Sequence, residues 1–157
     1  MVPIERGHEL KLSKLTDYAT VILSVIAKDQ CRVHGAVEIA ETTGIALPTV
    51  SKILKILAKA GVLCSVRGAK GGYALAREPE KITVATVISA LEGPIALTEC
   101  SASHKGCDQA SGCQIQGNWH LINQKIAQAL ESVTLADMIM PFKQPDEVSI
   151  PVSRLYR

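Results

Sequence analysis

Two glycines and one proline, Gly44, Pro48 and Gly61, restrict the fold of this chain more than any other feature. Ala36 to Thr43 carries Val37, Ile39 and Ala40 at helical spacing, and Gly44 supplies a C-terminal stop. Ile45-Ala46-Leu47 leads to Pro48, whose fixed φ and missing N–H suit the first turn of a new helix. That helix runs from about Pro48 to Ala60 and is closed by Gly61. Val50, Ile53, Leu54, Leu57 and Ala58 form its apolar stripe. Thr49, Ser51, Lys52, Lys55 and Lys59 lie largely on its other faces. Two helices joined through Gly44 and so short a turn read as a helix-turn-helix.

A basic hairpin follows directly. Val62 to Val66 reads as a strand, Arg67-Gly68-Ala69-Lys70-Gly71-Gly72 as a glycine-rich turn, and Tyr73-Ala74-Leu75 as the returning strand. Before the helix-turn-helix, Leu12 to Lys28 is a helix that Ser13 can cap. After the hairpin come a loop at Glu78–Lys81 and a helix from Thr83 to Leu91, stopped by Gly93-Pro94. Thr98 to Gly112 has little periodicity and reads as a loop. Gln116 to Val133 is a long helix with Trp119, Ile122, Ile126 and Leu130 on one face at near-heptad spacing, and Thr134 to Met140 adds a short helix. The expected class is mainly α: a winged helix-turn-helix with a small β-hairpin wing and a long C-terminal dimerisation helix. The expected division is an extension over 1–10, the winged helix over 11–97, a loop over 98–115, helices over 116–140 and a mobile tail over 141–157.

The net charge of +2 hides an asymmetry. Lys11 to Lys70 holds nine Lys/Arg against four Asp/Glu, whereas Gly71 to Met140 holds four against seven. A basic first half suggests a local footprint for a polyanion. Aromatic residues make up only 3%, which argues against a stacking platform for single strands. The longest apolar candidate span, Val21 to Ala27, is far too short to cross a bilayer, and the first residues carry no apolar signal region. A cytoplasmic protein without a membrane partner is expected.

The second helix of such a motif enters the major groove with its N-terminal residues toward the bases. Thr49, Ser51 and Lys52 are therefore candidate base-edge contacts, and Lys55 and Lys59 candidate phosphate contacts. In the wing, Arg67 and Lys70 place cations at the edges of a turn whose glycines, Gly71 among them, permit close backbone approach. An arginine there can reach a narrow minor groove. An ordinary helical hairpin with a solvated basic face accounts for the helices alone. It does not account for the order helix, turn, helix, basic glycine hairpin. The expected partner is double-stranded operator DNA, read by a dimer over paired half-sites.

Three of the five cysteines, Cys100, Cys107 and Cys113, cluster with spacing C-x6-C-x5-C. Soft thiolates select zinc, copper(I) or iron–sulfur clusters. The paired C-x2-4-C turns of structural zinc sites are absent, and wider spacing suits a larger object with several metal corners. Redox-active or incidental thiols are the plainer alternative. Three thiolates leave one ligand to come from elsewhere. Nearby, His104 and His120 read as solvated or packing imidazoles, and His8 and His34 suggest nothing. Cys31 and Cys64 read as small core residues. No Ser/His/Asp set, paired catalytic carboxylates or nucleotide loop is present, so neither an enzyme nor a small-molecule substrate is expected.

Four stretches together carry a resemblance: Leu12-Ser13-Lys14-Leu15-Thr16-Asp17-Tyr18, Leu47 to Lys52, Val66 to Tyr73, and the three cysteines. They resemble the IscR/NsrR-type winged-helix iron–sulfur regulators. Leu91 to Cys100 and Gly117-Asn118-Trp119 resemble the branch that regulates the SUF iron–sulfur assembly system. The resemblance implies a homodimer joined through the long helix, with Trp119, Ile122, Ile126 and Leu130 at the interface. It also implies an iron–sulfur cluster, 2Fe–2S or 4Fe–4S with the former favoured, whose occupancy alters operator binding. Ser13, Lys14 and the minor-groove Arg67 join the DNA contacts. Where IscR-like members place a histidine after the third cysteine, this chain has Gln116, a poor iron ligand. NsrR-like members use an aspartate from the partner's first helix, and Asp17 matches it as fourth ligand. Ser51 stands where IscR-like proteins carry a base-discriminating glutamate. The implied role is repression or tuning of cluster-assembly genes. A zinc- or thiol-redox-sensing repressor of the same fold is the alternative.

Overall fold

The computed structural model describes residues 11–98 and 115–141. The expected loop over 98–115, the three clustered cysteines, His104 and both expected tails lie wholly or almost wholly outside them.

Helix α1 spans Lys14–Lys28, two residues shorter than its apolar pattern, because Ser13 leaves the helix to cap it and accepts the Thr16 N–H at 3.3 Å. Helix α2 (Ala36–Thr43) ends where Gly44 turns left-handed at φ 70° and its N–H returns to the Ala40 carbonyl at 2.9 Å. Helix α3 (Leu47–Lys59) starts with Pro48 in its first turn. Strands β1 (Leu63–Val66) and β2 (Gly72–Leu75) pair antiparallel, with Leu63 opposite Leu75 and Val66 opposite Gly72. A short 3-10 turn, Pro79–Lys81, occupies the segment expected to be a loop; Pro79 is buried there. Helix α4 (Val84–Glu92) is capped by Thr83. Helix α5 (Gln116–Glu131) ends two residues early, since the Val133 carbonyl accepts the Val84 N–H at 2.8 Å and pulls the chain into an isolated bridge. Helix α6 (Leu135–Ile139) is short and fixed by a reciprocal Thr134–Asp137 capping box.

One core joins these elements. Ile22, Leu23 and Ile26 of α1 meet Ile39 of α2, Val50, Ile53, Leu54 and Leu57 of α3, and Val62, Leu63, Ile82, Val87 and Leu135. The recognition-helix stripe read from spacing is thus the buried face, and the lysines are left outside. Among the described residues the architecture is six α-helices and one hairpin, the winged helix-turn-helix expected from the sequence.

Two expectations are overturned. Cys31 and Cys64 are exposed rather than core residues. Of β1 only Leu63 is buried; Cys64, Ser65 and Val66 run out of the core along an exposed ribbon. Cys31 lies in the polar turn after α1, beyond the reach of the helical stripe.

Candidate nucleic-acid interface

Apart from Ser13 and Lys14 at the start of α1, the side chains expected to touch DNA stand on two exposed elements, both anchored from beneath. On α3, Val50, Ile53, Leu54 and Leu57 are fully buried, while Lys52 and Lys55 are exposed and Thr49 and Ser51 half-buried. On the wing, Arg67 and Lys70 are exposed at the turn. Gly71 closes that turn with its N–H on the Gly68 carbonyl at 3.0 Å, and a Cβ there would lie 2.4 Å from the Val66 carbonyl oxygen. Only glycine fits without moving the backbone. Among the described residues, Lys52, Lys55, Lys59, Arg67 and Lys70 form no ion pair; the Lys/Arg–carboxylate pairs present lie at Asp29–Arg32, Arg32–Glu38 and Glu78–Lys81. An exposed cation without an internal partner is free to neutralise a phosphate.

The start of α1 is held from a distance. Glu92, the last residue of α4, accepts the Ser13 N–H at 2.7 Å and the hydroxyl of buried Thr16 at 2.6 Å. Lys14 places its ammonium over the Tyr18 ring at 5.3 Å. Asp17 is exposed and lines the mouth of a largely apolar cleft of about 780 Å³ between α1, α4 and α6. Its carboxylate makes no hydrogen bond or ion pair with the described residues, so it is open to an external ligand. Three thiolates and one carboxylate are, as chemistry, a donor set that iron accepts. Cys100, Cys107 and Cys113 themselves lie outside the described residues, and the remaining ones hold no cluster of three potential ligands.

Hydrogen bonds hold Glu92 below the ordinary carboxylate value of 4.5, the Ser13 side chain first, then the Thr16 side chain and the Ser13 backbone. A lowered folded value means that this anchor stabilises fully above the unfolded value and is lost as pH falls through the folded one. Glu92→Ala is expected to cost about 1 kcal/mol at neutral pH, allowing for solvent screening of an exposed group. Thermal melts from pH about 7 to about 3 check this, since carboxylates titrate in that range. The wild-type advantage should shrink at the acid end, and parallel curves would contradict it.

On α5, Trp119 and Ile122 are 37% and 43% exposed, and Ile115 and Leu121 beside them exceed 50%. Ile126 and Leu130 are half-buried. The side chain of Asn123 clamps the residues just before the cysteine segment, donating to the Ile95 carbonyl at 2.8 Å and accepting the Leu97 N–H at 3.1 Å. Sequence reasoning missed Glu92, Asn123 and His34 as structural anchors. The residue types gave no signal, because each acts through a partner distant in the chain or through backbone pairing.

A buried three-helix support carrying an exposed basic helix and a basic two-stranded wing defines a winged-helix DNA-binding regulator. The chain belongs to the Rrf2 family, described as iron-dependent transcriptional regulators, whose profile matches residues 12–141. The transcriptional regulator IscR of Aliivibrio salmonicida is 31% identical over 132 residues, covering 83% of this chain and 78% of that protein. Protein rrf2 of Nitratidesulfovibrio vulgaris is 32% identical over 136 residues, covering 83% and 87%. Among solved structures, CymR, the global cysteine regulator of B. subtilis, superposes with a TM-score of 0.65 at 30% identity, covering 83% of this chain and 97% of its own. T. potens IscR superposes with a TM-score of 0.62 at 30% identity, covering 94% and 97%. The family model and the Aliivibrio relative are both named as transcriptional regulators, and the family is not one of enzymes. No helix among the described residues is long and apolar enough to cross a membrane.

Proposed function

We propose that this protein is a homodimeric repressor that binds an iron–sulfur cluster and tunes the transcription of cluster-assembly genes. The observation that carries the reading is the pairing, in one Rrf2-family chain, of unpaired surface cations on α3 and the wing with a three-cysteine segment between α4 and α5. Cys100, Cys107 and Cys113 hold the cluster, and Asp17 of the partner protomer supplies the fourth ligand. The bound cluster supplies a charge and occupancy state that responds to oxidants and to iron supply. The chain's own residues do the rest. Thr49, Ser51 and Lys52 meet base edges, Lys55 meets phosphate, and Arg67, Lys70 and the Gly71 backbone approach the minor groove. Ser13 and Lys14 contact the DNA backbone at the start of α1. Glu92 ties that start to the end of α4, from which the cysteine segment departs. Asn123 ties the same segment to α5. Cluster occupancy is therefore coupled to both the DNA-contacting end of α1 and the dimerisation helix.

The exposed apolar side chains Trp119 and Ile122 support dimerisation through α5. Sedimentation of Trp119→Asp with Ile122→Asp should give a monomer with weakened duplex binding, because each half-site is then read alone. A variant that stays dimeric would remove this interface. The wider reading is tested by salt titration of duplex binding. Arg67→Ala and Lys52→Ala should each weaken binding by about tenfold and flatten its salt dependence. Wild-type affinity in both variants would reject α3 and the wing as the reading surface. The likeness to CymR favours a second reading, a thiol-responsive repressor of the same fold. An anaerobically purified protein free of iron, whose duplex affinity follows thiol oxidation, would select it.

A further inference from the structure

His34, 3% exposed, is the buried titratable side chain of the winged helix that makes none of these DNA contacts. It lies two residues before the start of α2, bridged to the wing strand β2. Its ring Nε2 stands 2.9 Å from the Asp29 carbonyl oxygen. A carbonyl only accepts, so Nε2 carries the proton and donates. Nδ1 is buried without a hydrogen-bond partner among the described residues and faces the Glu38 carboxylate at 3.8 Å. Glu38 is in turn paired with Arg32. The backbone of the same residue pairs with the wing in both directions: His34 N–H to the Tyr73 carbonyl, and Tyr73 N–H to the His34 carbonyl, each 2.8 Å. The approach is so close that a Cβ on Gly72 would lie 2.3 Å from the His34 carbonyl oxygen.

A hairpin of two four-residue strands is marginal by itself. The His34–Tyr73 bridge adds a third rail, one residue past the wing turn. The ring fixes that rail to the end of α1. We propose that His34 is a positioning residue for DNA binding, holding the wing at the angle to α3 that lets Arg67 and α3 engage one duplex together. The inference rests on the wing reading above.

A double-mutant cycle tests it on the full chain, prepared anaerobically. The probe is a duplex that the wild-type protein enriches from a random-sequence library. His34→Ala should weaken binding by about tenfold, the size of one lost arginine contact. His34→Gln, whose amide N–H can still reach the Asp29 carbonyl, should recover most of that loss. In an Arg67→Ala background, His34→Ala should cost clearly less than in the wild type, since only the Lys70 and Gly71 contacts of the wing are left to lose. Amide exchange should quicken at Tyr73 in His34→Ala and stay unchanged along α3. An equal loss in both backgrounds, or unchanged protection at Tyr73, overturns the role while leaving the wing reading intact. Arg67→Ala with full affinity removes the wing reading and the inference with it. Should His34→Ala fail to fold, Gly72→Ala strains the same joint from the wing side. It should reproduce the loss, and full affinity there also overturns the role.

Discussion

Leu54→Ala is expected to lower the unfolding free energy by about 3 kcal/mol, the ordinary cost of a leucine removed from a tightly packed interior. Leu54 is fully buried at the middle of α3, where α1, α2 and α3 share one core. The loss would be a large part of a small domain's total stability. Lys52→Ala, two residues away on the exposed face, should change stability by less than about 0.5 kcal/mol. It should nevertheless weaken duplex binding. Denaturant melts and duplex titrations of the two variants therefore separate the two faces of one helix. A Leu54→Ala protein within about 1 kcal/mol of wild type would mean that α3 does not depend on this packing.

Cys107→Ala should have the largest effect on regulation. A single missing thiolate leaves the proposed site two soft ligands and one carboxylate, too few to retain an iron–sulfur cluster. Iron and sulfide content should fall to background. Duplex affinity should shift to that of the cofactor-free wild type, a change of roughly 5–150-fold if coupling is worth about 1–3 kcal/mol. Circular dichroism should barely change, because the core cluster of the described residues is built within 19–87 and Leu135. A variant that keeps its iron and sulfide would remove Cys107 from the ligand set.

Much of the fold was legible because its punctuation is local. Ser13, Gly44, Pro48 and Thr83 act within a turn of where they stand, and each marks a helix end in the structure. The core stripe of α3 followed from spacing alone. The misreadings share a different cause. Cys64 lies in an apolar run, but β1 leaves the core directly after Leu63, and local composition does not encode where the hairpin does so. Glu92 reaches back 79 residues to Ser13, and Asn123 reaches back 28 to Ile95. His34 gains its place from backbone pairing with Tyr73, which no side-chain pattern announces. Of the proposed sites, the basic residues of α3 and the wing were found by sequence because solvent-exposed cations need no distant partner. The proposed metal ligands were read from cysteine spacing and resemblance, and only Asp17 falls among the described residues.

The most direct measurement is duplex affinity of anaerobically isolated full-length protein, with iron and acid-labile sulfide quantified on the same sample before and after chelation. The account predicts stoichiometric iron and sulfide and an affinity that changes by at least about fivefold when they are removed. Protein isolated without iron or sulfide, or an affinity identical in the two states, would contradict it.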